Sequence, residues 1–154
     1  MIERELRQRV VYALRSLHAV SVEAGGAPGI PDVAHALGWM ELKVVKAWPV
    51  RPDTPLRVPH FTAQQREWIR ARCTALVQLY ENRNRGQPEH LWPGMRWSGM
   101  TVLIVVGREW LLLSGVTAVL RLGSATRVQL VDNSIKHWQR GPTDAELLSA
   151  IQEA

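Results

Sequence analysis

Asp32, Glu41 and Lys43 fall within one stretch, residues 25–43 (GGAPGIPDVAHALGWMELK). Pro31-Asp32 opens a short apolar run, a turn follows at Leu37-Gly38, and a second run delivers Glu41 and Lys43. In an extended strand, residues two apart point to the same face. Glu41 and Lys43 therefore project together while Leu42 packs behind them. Antiparallel pairing across the turn brings Asp32 alongside Glu41. Two acids and a lysine then converge at a sheet edge just after a glycine-rich loop. That combination suits a hard divalent cation beside a phosphate. Each half alone is uninformative, since Glu and Lys alternate on any exposed strand face and Pro-Asp is a turn dipeptide. The chain has three lysines (Lys43, Lys46, Lys136) among nineteen basic residues, so a lysine at this position stands out against an arginine background.

Helices and strands must position these groups. Over residues 2–18, Ile2, Leu6, Val10, Ala13, Leu14 and Leu17 recur at helical spacing and form one stripe. At 100° per residue the stripe centres about 40° from Glu3 and about 120° from Glu5. Glu3 is thus directed inward, where a carboxylate needs a cation or donors, or it sits in the first turn and favours the helix dipole. Glu5 is directed to solvent or to Arg9, four residues on. Residues 19–23 read as a strand, GGAPG as a loop, and 31–36 and 39–46 as two further strands. Prolines at 49, 52, 55 and 59 exclude a helix or central strand there and predict a surface loop carrying Arg51 and Arg57. Thr62-Ala63-Gln64-Gln65 matches a capping box and opens a second helix with Ile69, Cys73, Leu76, Val77 and Tyr80 inward. Residues 83–99 read as irregular, basic and aromatic.

Thr101–Val106 is a continuous apolar run, as expected of a strand buried on both faces. Another strand is expected at Trp110–Leu113, a short helix at Val116–Leu122 and a last strand at Arg127–Val131. Thr143-Asp144-Ala145-Glu146 is a second capping box, opening a terminal helix through Ile151. The expected architecture is α/β: a mixed central sheet flanked by helices, with an α-β-β-β-α-β core. It forms a single domain, 1–154, with the core at about 1–113 and a small accessory tail at about 114–154.

The chain has 154 residues, 46% hydrophobic and 21% charged, as in ordinary globular domains. No apolar run approaches a membrane span, and the start, MIERELRQRVV, is charged and amphipathic, unlike a signal peptide. A lone Cys73 excludes an internal disulfide and the usual thiolate zinc sites, and suggests a reducing cytoplasm. The net charge of +5 fits a polyanionic partner, although arginine-rich usage also follows from a GC-rich genome.

Pro31-Asp32, eight intervening residues, then Glu41-Leu42-Lys43 resembles the signature of the PD-(D/E)xK nuclease superfamily. Glu3-Arg4-Glu5-Leu6 looks like the start of the first helix of archaeal Holliday junction resolvases, whose first glutamate belongs to the active site. Gly29-Ile30-Pro31-Asp32 is similar to the G-x-P-D of phage-type VRR-NUC nucleases. Phe61–Trp68 resembles the segment where a glutamine opens their second core helix. The likeness covers about residues 3–106. The four-proline insertion and the Trp-rich stretch at 86–99 depart from it.

The resemblance implies a restriction-endonuclease-like fold and a divalent-metal-dependent DNA endonuclease, selective for branched, flap or junction DNA. Its setting would be a bacterial or phage-infected cytoplasm, with no membrane. Catalysis would rest on Glu3, Asp32, Glu41 and Lys43. Asp32, Glu41, the Leu42 carbonyl and Glu3 would hold Mg²⁺ or Mn²⁺. Lys43 would orient or deprotonate the attacking water. DNA is the implied partner, and a homodimer is implied because resolvases act as dimers.

Phosphate contacts that read no sequence are expected from Lys46, Arg51, Arg57, Arg83 and Arg85. His60 reads as a phosphate contact or a loop residue, and Gln65 as a contact to the catalytic water or DNA, or simply as the helix cap. Trp92 and Trp97 read as base-stacking or core residues. The competing class is a non-catalytic DNA- or protein-binding module on the same fold. No G-x-S-x-G, Walker loop or H-E-x-x-H supports another hydrolase.

Overall fold

The run Met100–Val106 is buried along its whole length and forms the central strand β4 of the sheet. The computed structural model describes residues 1–22, 29–83 and 99–154, and for 75–83 the backbone alone. Helix α1 (Glu3–Ala13) leads through a 3₁₀ turn (Arg15–Leu17) into β1 (Val20–Ser21), β2 (Val33–His35) and β3 (Gly38–Val45). Helix α2 (Ala63–Arg83) crosses to β4, followed by β5 (Glu109–Ser114), α3 (Gly115–Arg121), α4 (Arg127–Asp132), β6 (Lys136–Trp138) and α5 (Asp144–Glu153). The protein is thus a mixed α/β protein with, among the described residues, five α-helices and a six-stranded mixed sheet.

The strands lie in chain order, β1 to β6. Neighbours are antiparallel except β3 and β4, which run parallel across the α2 connection. Period-two alternation divides the core. Met40 and Leu42 of β3, with Leu103, Val105 and Leu112, pack under α1 and α5 through Leu6, Val10, Leu14, Leu147, Ala150 and Ile151. On the opposite face Val102, Ile104, Leu111 and Leu113 meet Ile69 and Cys73 of α2, Ala118 of α3 and Leu130 of α4. Leu56, Val58 and Phe61 of the proline-rich loop complete that layer. Residues 114–154 therefore supply side chains to both cores. Among the described residues no helix is long and apolar enough to cross a membrane.

Three expectations change. The first helix does not run through residue 18: it stops at Ala13, and His18 takes a left-handed conformation (φ 54°) that turns the chain into β1. Residues 127–131 form α4, not a strand. Thr126 Oγ1 accepts from the Gln129 N–H and Gln129 Oε1 accepts from the Thr126 N–H, a capping box that starts a helix where Val-Gln-Leu-Val reads as extended. Strand β6, unforeseen, is held by pairing Trp138 with Trp110. Glu109 ties this end together, accepting from Trp48 Nε1 (3.0 Å), from Arg127 and from His137 Nε2 (2.8 Å). Arg85, Trp92 and Trp97, and the side chain of Arg83, lie outside the described residues.

The end of the β2–β3 turn packs tightly on the start of β4: Gly38 (φ 145°) lies against Gly99, where an added Cβ would stand 1.8 Å from the Gly99 carbonyl oxygen. That same oxygen accepts from the Trp39 N–H at 2.6 Å. Gly38→Ala should therefore cost about 2–4 kcal/mol through strain and overpacking. Urea denaturation measures this, and a loss below about 1 kcal/mol would mean that the hairpin and the Gly99 backbone are not in close contact.

Candidate active site

The hairpin brings Asp32 and Glu41 side by side. Val33 pairs with Met40, so the next positions outward are Asp32 and Glu41. Asp32 Oδ2 accepts from the Leu42 backbone N–H at 3.0 Å, which fixes the carboxylate at the end of the paired region. Glu41 and Lys43 lie on the α2 side of β3, between Trp39 and Val45 in the alternation.

Both are buried, Glu41 at 0% and Lys43 at 3% exposure, and Lys43 Nζ stands 2.6 Å from Glu41 Oε1. The same Glu41 oxygen accepts from Gln65 Nε2. Gln65 is therefore the expected helix cap at one amide end and a donor to Glu41 at the other. Its Oε1 accepts from the Thr62 N–H at 3.0 Å and closes the helix cap, which turns Nε2 towards Glu41. Gln65 contacts the site carboxylate itself.

The other oxygen, Glu41 Oε2, is buried without a hydrogen-bond partner. Burial, then the nearby charge of Asp32 and more weakly that of Glu3, pushes the Glu41 carboxyl up to about 7 against the pull of Lys43. An unpartnered carboxylate oxygen in a field of like charge is the chemistry that an oxygen-preferring divalent cation answers. The residues that could hold one are Asp32, Glu41 and the Leu42 carbonyl. A strand residue's C=O points to the same side as its N–H, and the Leu42 N–H points at Asp32. Among the described residues no three His, Cys, Asp or Glu side chains form a ready metal cage. The donor set is thus two carboxylates and a carbonyl.

Glu3, half-buried on α1, lines a cleft of about 520 Å³ together with Val44, Lys46, His60 and Gly107. Lys46 and His60 thus border the same cleft as Glu3. Glu5 is exposed, and its Oε2 accepts from the Ile2 N–H at 3.0 Å rather than from Arg9. Arg9 instead donates to the Pro142 carbonyl and lies over the Trp110 ring. Arg51 and Arg57 are exposed on the proline-rich loop and do not line that cleft.

Sequence reasoning missed Arg7, whose Nη2 meets Asp32 Oδ1 at 3.0 Å. The signal was present: Arg7 follows Glu3 by four residues and shares its helix face. His35 is unpartnered at both ring nitrogens and lines a separate small pocket with Leu37, Trp39 and Thr101.

Because the folded-state value of about 7 lies above the 4.5 of the free group, folding favours protonated Glu41. The stability linked to this carboxyl is fully present below pH 4.5 and is lost as pH rises through 7. The difference corresponds to about 3 kcal/mol. Burial lowers the His35 value, so its neutral ring acts in the opposite window, losing stability as pH falls below 6.5. Comparing Glu41→Gln with wild type by urea denaturation across this range cancels the His35 contribution. The variant should gain on wild type by about 3 kcal/mol between pH 4.5 and 8, whereas a constant difference would mean that Glu41 titrates as in water. No family model, no curated protein and no solved structure matches this chain.

Proposed function

We propose that the protein is a divalent-metal-dependent DNA endonuclease built on the restriction-endonuclease-like PD-(D/E)xK plan. The observation that carries this reading is the buried Glu41 carboxylate, beside Asp32, 2.6 Å from Lys43 and with Oε2 unpartnered. A buried acid left half-partnered costs stability, and groups perturbed in this way cluster at functional sites. The element order α1-β1-β2-β3-α2-β4 and the single parallel pair β3–β4 agree with such a core.

In this reading Asp32, Glu41 and the Leu42 carbonyl would hold Mg²⁺ or Mn²⁺, with Glu3 completing the shell through water or at a second ion. When bound, the ion would offset charge on the phosphate and lower the pKa of water. The chain's own groups do the rest. Gln65 and Lys43 fix the Glu41 carboxylate through Oε1, which leaves Oε2 free. The Leu42 N–H fixes Asp32 through Oδ2. Lys43 positions the attacking water and offsets phosphate charge. Lys46 and His60, beside Glu3 in the cleft, contact the phosphates of the strand. Selectivity for branched, flap or junction DNA belongs to the same proposal.

A cleavage assay on matched linear, nicked, flap and four-way DNA with Mg²⁺ or Mn²⁺ tests the reading. Cutting should require the metal, and Ca²⁺ should support binding alone. Asp32→Asn and Glu41→Gln should abolish cutting with DNA affinity held or raised, and Lys43→Ala should lose activity with metal binding kept. Glu3→Gln should slow cleavage at least tenfold, about 1.4 kcal/mol in barrier, while Glu5→Gln stays near wild type. Cleavage that survives exhaustive chelation, or a fully active Asp32→Asn, would sink the mechanism. DNA binding without cutting on any substrate would assign the chain to the non-catalytic class.

A further inference from the structure

Arg7 is the one basic side chain in contact with Asp32 among the described residues. It approaches from α1, meets the oxygen that the Leu42 N–H does not, and its side chain is 27% exposed. Its grip is incomplete. A guanidinium binds a carboxylate best through two parallel N–H···O bonds. Here a single Nη2–H reaches Oδ1 at 3.0 Å, while Nε is buried with no partner at all. Each Asp32 oxygen accepts one hydrogen bond, Oδ2 from the strand-fixed Leu42 N–H and Oδ1 from the Arg7 side chain, so Oδ1 is the oxygen whose donor can swing away to admit a cation. A divalent ion ligated there at 2.0–2.6 Å would stand against a guanidinium bonded to the same atom.

Resting on the metal site proposed above, we propose that Arg7 is an exchangeable counter-cation. Arg7 and the divalent ion compete for Asp32 Oδ1, and metal binding displaces the guanidinium from it. The one-bond contact makes that exchange feasible, since a bidentate pair would resist it. The displaced fork, with its Nε–H and Nη2–H both open, is then suited to bidentate pairing with a phosphate oxygen pair beside the same carboxylate. Arg7 is in this sense a positioning residue that sets the metal affinity of Asp32.

Mn²⁺ titrations of the full chain by calorimetry, without DNA, test this directly. Arg7→Gln should bind Mn²⁺ at least fivefold more tightly than wild type. Arg4→Gln, which removes the same charge from an exposed neighbouring position, should leave the affinity within twofold, and Arg7→Lys should stay close to wild type. Equal gains in Arg7→Gln and Arg4→Gln would reduce the effect to net charge and overturn the proposal, as would unchanged or weaker binding in Arg7→Gln.

A second measurement needs no variant. In the wild-type protein the Arg7 Nε–H resonance should shift on adding diamagnetic Mg²⁺, and a resonance that stays put means that Arg7 keeps Asp32. Absence of any Mn²⁺ binding in wild type would remove the proposal together with the metal site. Metal binding that follows this pattern without DNA cleavage would uphold the exchange and reject the nuclease reading alone.

Discussion

The architecture turns on keeping the Glu41 carboxylate out of water. A charge with no solvent exposure must be answered by neighbours or be protonated. Each element packed around it supplies part of that answer. Strand β4 makes β3 an interior strand, α2 delivers the Gln65 amide, and β3 itself delivers Lys43 two residues on. The answer is deliberately partial in chemical terms. Both donors go to one oxygen and the second has none. A site built only for stability would have divided them.

The carboxylate pair also explains the investment in a rigid surround. Asp32 and Glu41 stand on the two arms of one hairpin, whose register sets their spacing and whose turn end packs against Gly99. The far end of the sheet is braced as firmly. Glu109 joins the proline-rich loop, α4 and β6 through Trp48, Arg127 and His137; burial raises its carboxyl, but the hydrogen bonds and charges of Arg127 and His137 hold it below the usual range. Side chains of α5 reach back to α1, so the helix that carries Glu3 and Arg7 is supported by the last residues of the chain.

What was legible in the sequence follows from period and local chemistry. Alternation puts Glu41 and Lys43 on one face, and a two-residue turn sets Asp32 opposite Glu41. The capping box at Thr62 announces α2 and, with it, the orientation of Gln65. Helical phase separates Glu3 from Glu5. The features that escaped share a different cause. Helix α4 is six residues long, too short to display a 3.6 period, and its apolar run imitates a strand. Strand β6 exists because β5 offers an unpaired edge, a tertiary fact without a local signal. Arg7 was hidden by abundance, as one arginine among many whose partner lies twenty-five positions away.

The parallel register of β3 with β4, Leu42 opposite Leu103, has a consequence for the order in which the chain assembles. The β2–β3 hairpin is local and can close within about 1–10 µs. Pairing with β4 must first close the long excursion through the proline-rich loop and α2, an entropic barrier that local contacts do not meet. Until that closure, Glu41 and Lys43 sit on a hairpin face still open to water, where both charges are hydrated. Their desolvation comes only when β4 docks and its apolar side chains are buried in the same event. The desolvation of Glu41 and Lys43 is thereby coupled to the burial of the apolar β4 strand, and a chain that fails to dock β4 leaves both charges hydrated.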